Sequence, residues 1–374
     1  MVLAKSHLRV AFVLLLLAVP RSSHAEIPLG DKLRLSGYGD IHYNNPAIGT
    51  MDQNALAEAD VHRFVLGWAY EFSPGYRLEA EVDFEHAAQE IELEFAYLDC
   101  DLNPNLTLRA GSVLMPVGPL NEFHEPPNYY SVERPYVESY INPTTWQELG
   151  LGLVGRTKSG AIAYRAYLVT GLDASGFSGL DGLDGGISHG FEAPAQDLAG
   201  VARVEYSSTG GLALGASGYY GGADQGDSAK GDVFVGIAEG DARYHRHGLD
   251  LRAVLYHVSI DGADRVSLVN GETIGEAMTG WYAEAAYDLL RRDAAPARTK
   301  ALFVYGRYED IDTEDAVPSG PSFVRDPAAG RQVISTGAAF YPIEKIAFKT
   351  DYEHWKDDSG ANLDRFNLGV AFRF

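Results

Sequence analysis

The sequence predicts an all-β protein, a transmembrane antiparallel β-barrel of about sixteen strands. Three observations carry that expectation. Phe366, Leu368, Val370, Phe372 and Phe374 fall at every second position, with Asn367, Gly369, Ala371 and Arg373 between them. Period two marks a strand with one apolar face and one small or polar face. An open apolar edge invites aggregation, and a closed sheet between lipid and water removes the edge. The second observation is a leader suited to export. The third is a set of connections that alternates between short turns and long loops.

The elements follow in order. Lys5 and Arg9 precede the apolar run Val10 to Val19, and Ser23-His24-Ala25 places small residues at the cleavage positions. This is the pattern of a secretory signal peptide over 1–25, leaving a barrel domain at 26–374. A spanning helix needs about 20 apolar residues, roughly twice this run. Period-two runs place strands near 33–44, 60–72, 76–86, 90–100, 105–113, 147–156, 160–170, 197–208, 211–220, 232–246, 249–260, 274–289, 299–310, 331–342, 345–356 and 362–374. Gly236 and Gly240 interrupt the tenth.

The short connections are Ser73-Pro74-Gly75, Asn103-Pro104-Asn105, Thr157-Lys158-Ser159, Ser208-Thr209-Gly210 and Tyr341-Pro342-Ile343-Glu344. Their residues suit tight turns. The link from Arg291 to Arg298 is longer. The other class spans 45–59, 114–146, 171–196, 221–231, 261–273, 311–330 and 357–361, with 87–89 as its short exception. Outer-membrane barrels sort their connections this way, with short periplasmic turns, long outer loops and both termini periplasmic. A soluble sandwich has no reason to sort loops by parity.

Individual strands read as two-sided. Tyr76, Leu78, Ala80, Val82 and Phe84 alternate with Arg77, Glu79, Glu81, Asp83 and Glu85. Ile91, Leu93, Phe95 and Tyr97 alternate with Glu92, Glu94, Ala96 and Leu98. Trp281, Ala283, Ala285, Tyr287 and Leu289 share a face opposite Glu284 and Asp288.

Composition limits the function classes. The chain has 52 Asp and Glu against 30 Lys and Arg, a net charge of −22, which excludes nucleic acid as a natural partner. Cys100 is alone, so no internal disulfide forms. A closed hydrogen-bonded barrel supplies the stability instead. Sixteen strands enclose a lumen wide enough for water, so size argues for a channel unless something plugs it.

The 114–146 connection is long and rich in Pro and aromatic residues. Tyr129, Tyr130, Tyr136, Tyr140 and Trp146 are poor choices for a disordered segment. The loop reads as folded inward against the barrel wall, narrowing the lumen. An outer cap or a trimer contact is the alternative.

Other constellations carry little chemistry. His245 and His247 sit two apart near a turn, short of a third metal ligand. Asp310 to Asp315 and the run Gly179 to Gly190 have the acid density of calcium loops without their spacing, and read as solvated loops. Acidic outer loops would suit bridging of lipopolysaccharide phosphates through divalent ions. The chain shows no nucleophile elbow, H-E-x-x-H, P-loop or Gly-x-Gly-x-x-Gly helix start. His86 and His354 have no serine at a supporting spacing. The expectation is a non-enzyme without a cofactor.

Leu114-Met115-Pro116-Val117-Gly118, Val132-Glu133-Arg134-Pro135, Thr144-Thr145-Trp146-Gln147-Glu148-Leu149-Gly150 and the opening Gly37-Tyr38-Gly39-Asp40 resemble the phosphate-selective porin O and P family. The likeness is clearest over 33–156. It implies a sixteen-stranded outer-membrane porin of a Gram-negative cell, a homotrimer, a third long loop in the pore, and passive solute and ion transport. This chain departs from the family's arginine ladder and lysine cluster. Its constriction candidates are Glu122, His124, Glu125, Glu133, Arg134 and Glu138. Its wall candidates are Arg63, Arg77, Glu79, Glu81, Asp83, Glu85, Glu92, Glu94, Arg109, Arg365 and Arg373, with Arg109 and Glu94 as partners on neighbouring strands. Arg34, Arg252 and Lys349 share the lumenal parity. Acidic rings favour cations, so the expected preference is weakly cationic or absent. The expected partners are outer-membrane lipid, lipopolysaccharide, small solutes and an assembly machinery that reads Phe374. The alternative is a surface receptor or adhesin with a plugged pore.

Overall fold

The computed structural model describes residues 26–47, 56–291 and 300–374. The leader at 1–25 and most of the 291–298 link lie outside the described residues. Sixteen long strands run in sequence order around one closed sheet. They are β1 (Leu33–Ala47), β2 (Glu58–Ser73), β3 (Tyr76–Glu85), β4 (Glu90–Asn103), β5 (Leu106–Leu114), β6 (Gln147–Arg156), β7 (Ile162–Thr170) and β8 (Leu198–Ser207). Then follow β9 (Leu212–Gly222), β10 (Phe234–Arg246), β11 (Leu249–Asp261), β12 (Ala277–Asp288), β13 (Ala301–Ala316), β14 (Gly330–Ile343), β15 (Ile346–Asp357) and β16 (Asn362–Arg373). The interrupted tenth strand is therefore real.

All neighbours pair antiparallel, and β16 pairs with β1 with Leu368 opposite Tyr43. Gly37 donates to the Phe374 carbonyl at 3.1 Å, and Phe374 donates back to Gly37 at 2.8 Å. Where β16 stops, Ile27–Pro28 pairs with Leu35 and Arg34 and covers the overhanging end of β1. Closure thus removes the apolar edge. No helix among the described residues is long and apolar enough to cross a membrane.

Burial is inverted relative to a water-soluble protein. Leu151, Leu168, Val204, Leu255, Ile334, Phe348 and Phe366 are exposed on the outside. Arg203, Glu239, Arg307, Glu309, Asp351 and Glu353 are buried inside. Trp281, Tyr287 and Leu289 face outward while Glu284 and Asp288 are buried, as the alternation requires.

Two bulges shift that alternation. In β4 the register slips opposite Glu81 and Val82, and Glu94 and Phe95 both become buried. A bulge inserts one residue and changes which face the next side chains take. Ile91 and Leu93 stay outside, but Phe95 and Tyr97 join the lumen and Leu98 turns out. The single alternation expected over 91–98 is corrected accordingly. A second slip lies between Asp40 and Ile41 of β1, opposite Arg63 and Val61 of β2. There His62 stacks on the lumenal His42 at 4.5 Å while its neighbour Arg63 is also buried.

The long-loop end is filled by its own loops. Leu172, Ala174, Phe177, Leu183 and Ile187 of the 171–197 connection are buried with Val137, Ile141 and Trp146 of the 114–146 loop. Two short helices contribute, α1 (Val137–Tyr140) and α2 (Ala263–Asn270). Val266 of α2 packs into the same cluster, inside the barrel mouth. The Gly179 to Gly190 run belongs to this inward fold and is not a solvated loop. Asp310 to Asp315 is not a loop at all. It continues β13, with Thr313 and Glu314 buried and Asp312 paired to Arg325 at 2.6 Å.

Candidate pore constriction

The loop between β5 and β6 leaves and returns at one point. Met115 donates to the Trp146 carbonyl at 3.0 Å. The buried Asn121 amide donates to both the Met115 and Trp146 carbonyls at 2.8 Å, and accepts from Trp146 N–H at 2.9 Å. One side chain therefore ties the two ends of a 32-residue excursion, 115–146, together. Within it, tight turns at Asn121–Phe123 and Pro126–Asn128 and the helix α1 keep the path compact. Proline favours such turns because its ring fixes φ.

From that root the loop crosses the lumen and bonds to the wall around its circumference. Gly118 donates to Ser217 of β9 at 3.1 Å. Glu122 pairs with Arg165 of β7 at 2.9 Å. His124 lies 2.7 Å from the Tyr38 hydroxyl of β1 and 2.5 Å from the Glu94 carboxylate of β4. Glu125 meets Arg373 of β16 at 3.3 Å. Tyr130 donates to Asp250 of β11 at 2.7 Å. The Val132 amide donates to Asp351 of β15 at 2.6 Å, and the Val137 amide to Glu309 of β13 at 3.0 Å. Glu133 accepts from Asn44 at 2.6 Å and lies 3.2 Å from His42. Glu138 accepts from Tyr256 of β11 at 2.7 Å. Lys349 donates to the Pro126 and Ser131 carbonyls at 2.6 and 2.8 Å.

The wall is cut to receive the loop. An added Cβ on Gly369 of β16 would lie 3.1 Å from Val132, and one on Gly280 of β12 would lie 2.6 Å from Ile141. Gly118 itself has φ +73°, and a Cβ there would fall 1.7 Å from the Tyr256 hydroxyl. Glycine is required at that point on both counts.

All six expected constriction residues lie on this crossing segment, but their partners were not foreseen. Arg134 turns back to the Thr144 carbonyl within the loop. Burial pushes the Glu138 carboxyl up to about 7, against the pull of hydrogen bonds from Tyr256 and Asn142. Burial acts the same way on Glu133, yet the His42 hydrogen bond and charge hold it below the usual carboxylate range.

Most lumenal cations are paired. Arg77 bonds Glu79 at 2.6 Å and Asp99 at 2.8 Å. Arg109 bonds Asp99 at 2.8 Å and lies 3.6 Å over the Tyr97 ring. The expected Arg109–Glu94 partnership is therefore replaced, because the β4 bulge turns Glu94 to His124. Arg365 approaches Glu353 at 4.0 Å. Arg63 is buried 3.9 Å from Asp40. Asp83, Glu85 and Glu92 have no ion pair with Lys or Arg among the described residues. Glu81 is buried beside Glu94 and His124, a trio whose donor atoms lie within 4.8 Å of one another.

Sequence reading missed Arg165, Arg203, Arg307 and Asp351. The signal was present, since each sits at lumenal parity in its strand. Arg203 alone bonds Glu205, Glu239 and Asp241 at 3.0, 2.9 and 2.6 Å. Below the loop, toward the short turns, two cavities open. One of about 730 Å³ is lined by Phe123, Asn128 and Tyr130 with Arg243, Arg252 and Arg373. The other, of about 480 Å³, is lined by Glu122, Arg165, Arg109 and Glu79. The loop forms their common roof.

No family model matches the chain. Among solved structures, it is similar to OmpF of Salmonella typhi in complex with daunomycin, at 12% identity and TM-score 0.59 over 93% of this chain and 100% of that one. It is similar to the anion-selective porin from Comamonas acidovorans, at 10% identity and TM-score 0.56 over 91% and 99%. It is also similar to OmpT of Vibrio cholerae in its trimer form, at 11% identity and TM-score 0.55 over 91% and 99%. These likenesses establish the porin fold and carry no family narrower than that. An uncharacterised protein of Aquifex aeolicus (strain VF5) is 32% identical over 360 residues, covering 90% of this chain and 79% of that protein. The chain therefore belongs to one family with that Aquifex aeolicus protein, built on the fold of outer-membrane porins.

Proposed function

We propose that the protein is an outer-membrane porin, exported through a cleaved leader at 1–25, that lets small hydrophilic solutes diffuse passively. The observation that carries this reading is a closed barrel whose 114–146 loop crosses a charged lumen above two vestibules of about 730 and 480 Å³. The roles are lining and filtering, with no covalent chemistry. The narrowest charges are those of Glu122, His124, Glu125, Glu133, Arg134 and Glu138. Single-channel recording of pure protein in a planar bilayer tests the reading, and steady open conductance is the expected result.

A second reading, a surface receptor or adhesin with a plugged pore, is favoured by one observation. The 114–146 and 171–197 loops share an apolar core inside the barrel mouth. Electrical silence together with ligand binding would select it.

The finer assignment, phosphate selectivity, rests on the motifs alone. The lining argues against it, because Arg77, Arg109, Arg165, Arg203, Arg252 and Arg307 are spent on carboxylates, while Asp83, Glu85 and Glu92 have no Lys or Arg ion pair among the described residues. The expected reversal potential in a salt gradient shows weak cation preference or none. A strong phosphate or chloride preference would sink that expectation. The outward apolar band fits lipid, and the trimeric OmpT neighbour supports a homotrimer, which crosslinking in native membranes would detect. Recognition of Phe374 by the assembly machinery and contact of the outer loops with lipopolysaccharide complete the proposal.

A further inference from the structure

We propose that Asp60, His62 and His86 form a binding site for a transition-metal dication of the zinc class at the long-loop end of the barrel. One donor atom from each lies within 4.8 Å of the others. Separate local features bring them together. Asp60 and His62, two residues apart on β2, share a side by strand parity, and the β1–β2 bulge at His62 turns Arg63 to that side as well. The connection after β3 then folds back over β2. His86, Ala87 and Ala88 take left-handed φ values of 47°, 55° and 68°, a costly run for residues with a Cβ. That turn sets His86 Nδ1 2.5 Å from Asp60 Oδ2, while His62 Nδ1 lies 3.8 Å from the same oxygen.

The spacing suits a metal. Bonds of about 2.0–2.1 Å in a tetrahedral zinc site place donors roughly 3.3 Å apart. The His62–Asp60 separation is close to that value. His86 needs to withdraw by about 1 Å, and its ring is exposed enough to do so. Two imidazoles and one carboxylate with a fourth position left to water is the donor set of an open zinc-type site. Calcium and magnesium require more oxygen ligands than Asp60 supplies.

The surroundings support the donors. The His62 ring stacks on His42 at 4.5 Å. His42 Nε2 is 2.7 Å from Asp40, and its Nδ1 is 3.2 Å from Glu133. Glu85 and Glu90 add negative charge beside His86. Arg63, next to His62, is the opposing charge, and Asp40 at 3.9 Å offsets part of it. A bound ion would therefore sit one imidazole away from the constriction loop, and occupancy would be felt at Glu133.

Isothermal titration of Zn²⁺ into the folded full chain, prepared without a histidine tag, tests the site. The expected result is one ion per chain at micromolar affinity. Combined His62→Ala and His86→Ala should weaken it about tenfold or more, and His245→Ala at the other end should leave it unchanged. No binding, or binding unaltered in the double variant, overturns the proposal and leaves an ordinary His–Asp ion pair. If the double variant fails to fold, Co²⁺ replaces it as the probe of the unmodified protein. Intense visible bands of a four-coordinate, nitrogen-ligated ion support the site, and a pale octahedral spectrum overturns it. Both readouts are independent of conductance, so failure here leaves the diffusion reading standing.

Discussion

Glu138 shows how one buried group can set the strength of the loop's seat. Its carboxyl titrates at about 7 when seated, against 4.5 for the free group. Below 4.5 both forms hold the proton, and pH has no effect. Between 4.5 and 7 the seated form keeps a proton that the unseated form has lost, so seating weakens as pH rises. Above 7 the loss is complete, on the order of 3 kcal/mol. The wild-type loop should resist limited proteolysis better at pH 5 than at pH 8. Glu138→Gln should narrow that difference, and an unchanged difference would count against this residue as its source. His124 is the matching anchor on the opposite wall. Replacing it by Ala leaves the buried Glu94 carboxylate without its imidazole, with the Tyr38 hydroxyl still donating to it at 3.0 Å, which should cost about 2–4 kcal/mol of thermal stability. Differential scanning calorimetry would detect that as a lower midpoint, and an unchanged midpoint would argue that water replaces the imidazole.

At the scale of elements, the loop and the wall behave as one fitted piece. Gly118→Ala drives a methyl into the Tyr256 hydroxyl, so the loop root must shift. Overpacking of this kind costs about 1–3 kcal/mol. The expected signature in a bilayer is noisier conductance with larger open levels, and wild-type recordings would count against the fit. The elements themselves were largely legible. The strand rhythm, the parity of the loops and the inward 114–146 segment all follow from alternation and from aromatic residues where disorder would exclude them. What stayed illegible was local slippage. Nothing in Glu92-Leu93-Glu94-Phe95 announces a bulge, because its cause is the pairing with β3 and not the strand's own pattern. The 171–197 loop was missed for another reason. Its glycines masked the spacing of Leu172, Phe177, Leu183 and Ile187, which only a receiving surface inside the barrel makes meaningful. Strand parity was legible, but the pairing across strands was not. Arg109 was matched to Glu94 and meets Asp99 instead, because of that same bulge.

For the whole molecule, lumenal charge is organised as a paired lattice. Arg203 with three acids, Arg307 between Glu284 and Glu309, and Arg252 with Asp250 and Glu284 illustrate it. If the lumen conducts, ions would meet a wall whose charges are mostly paired, with Asp83, Glu85 and Glu92 as the exceptions, which predicts small cation-leaning selectivity. Removing Arg203 should release Glu239 and Asp241 together, while Glu205 keeps Arg165 at 2.8 Å. Arg203→Gln is expected to shift the reversal potential toward cations, and a shift toward anions would contradict the pairing.

The seam between β1 and β16 has a consequence for biosynthesis. Gly37 and Phe374 meet only when both extremities of the barrel are present. Every other strand pair can form as a hairpin while the chain is still emerging. The seam cannot, and it is the most non-local contact in the molecule. A chain cut short before β16 would therefore fold most of its sheet and keep β1 bare, a template for pairing with a second defective chain. Completion is thus marked by a single pairing of sheet edges. Deleting Phe374 should lower the yield of heat-modifiable barrel far more than deleting one residue from an outer loop.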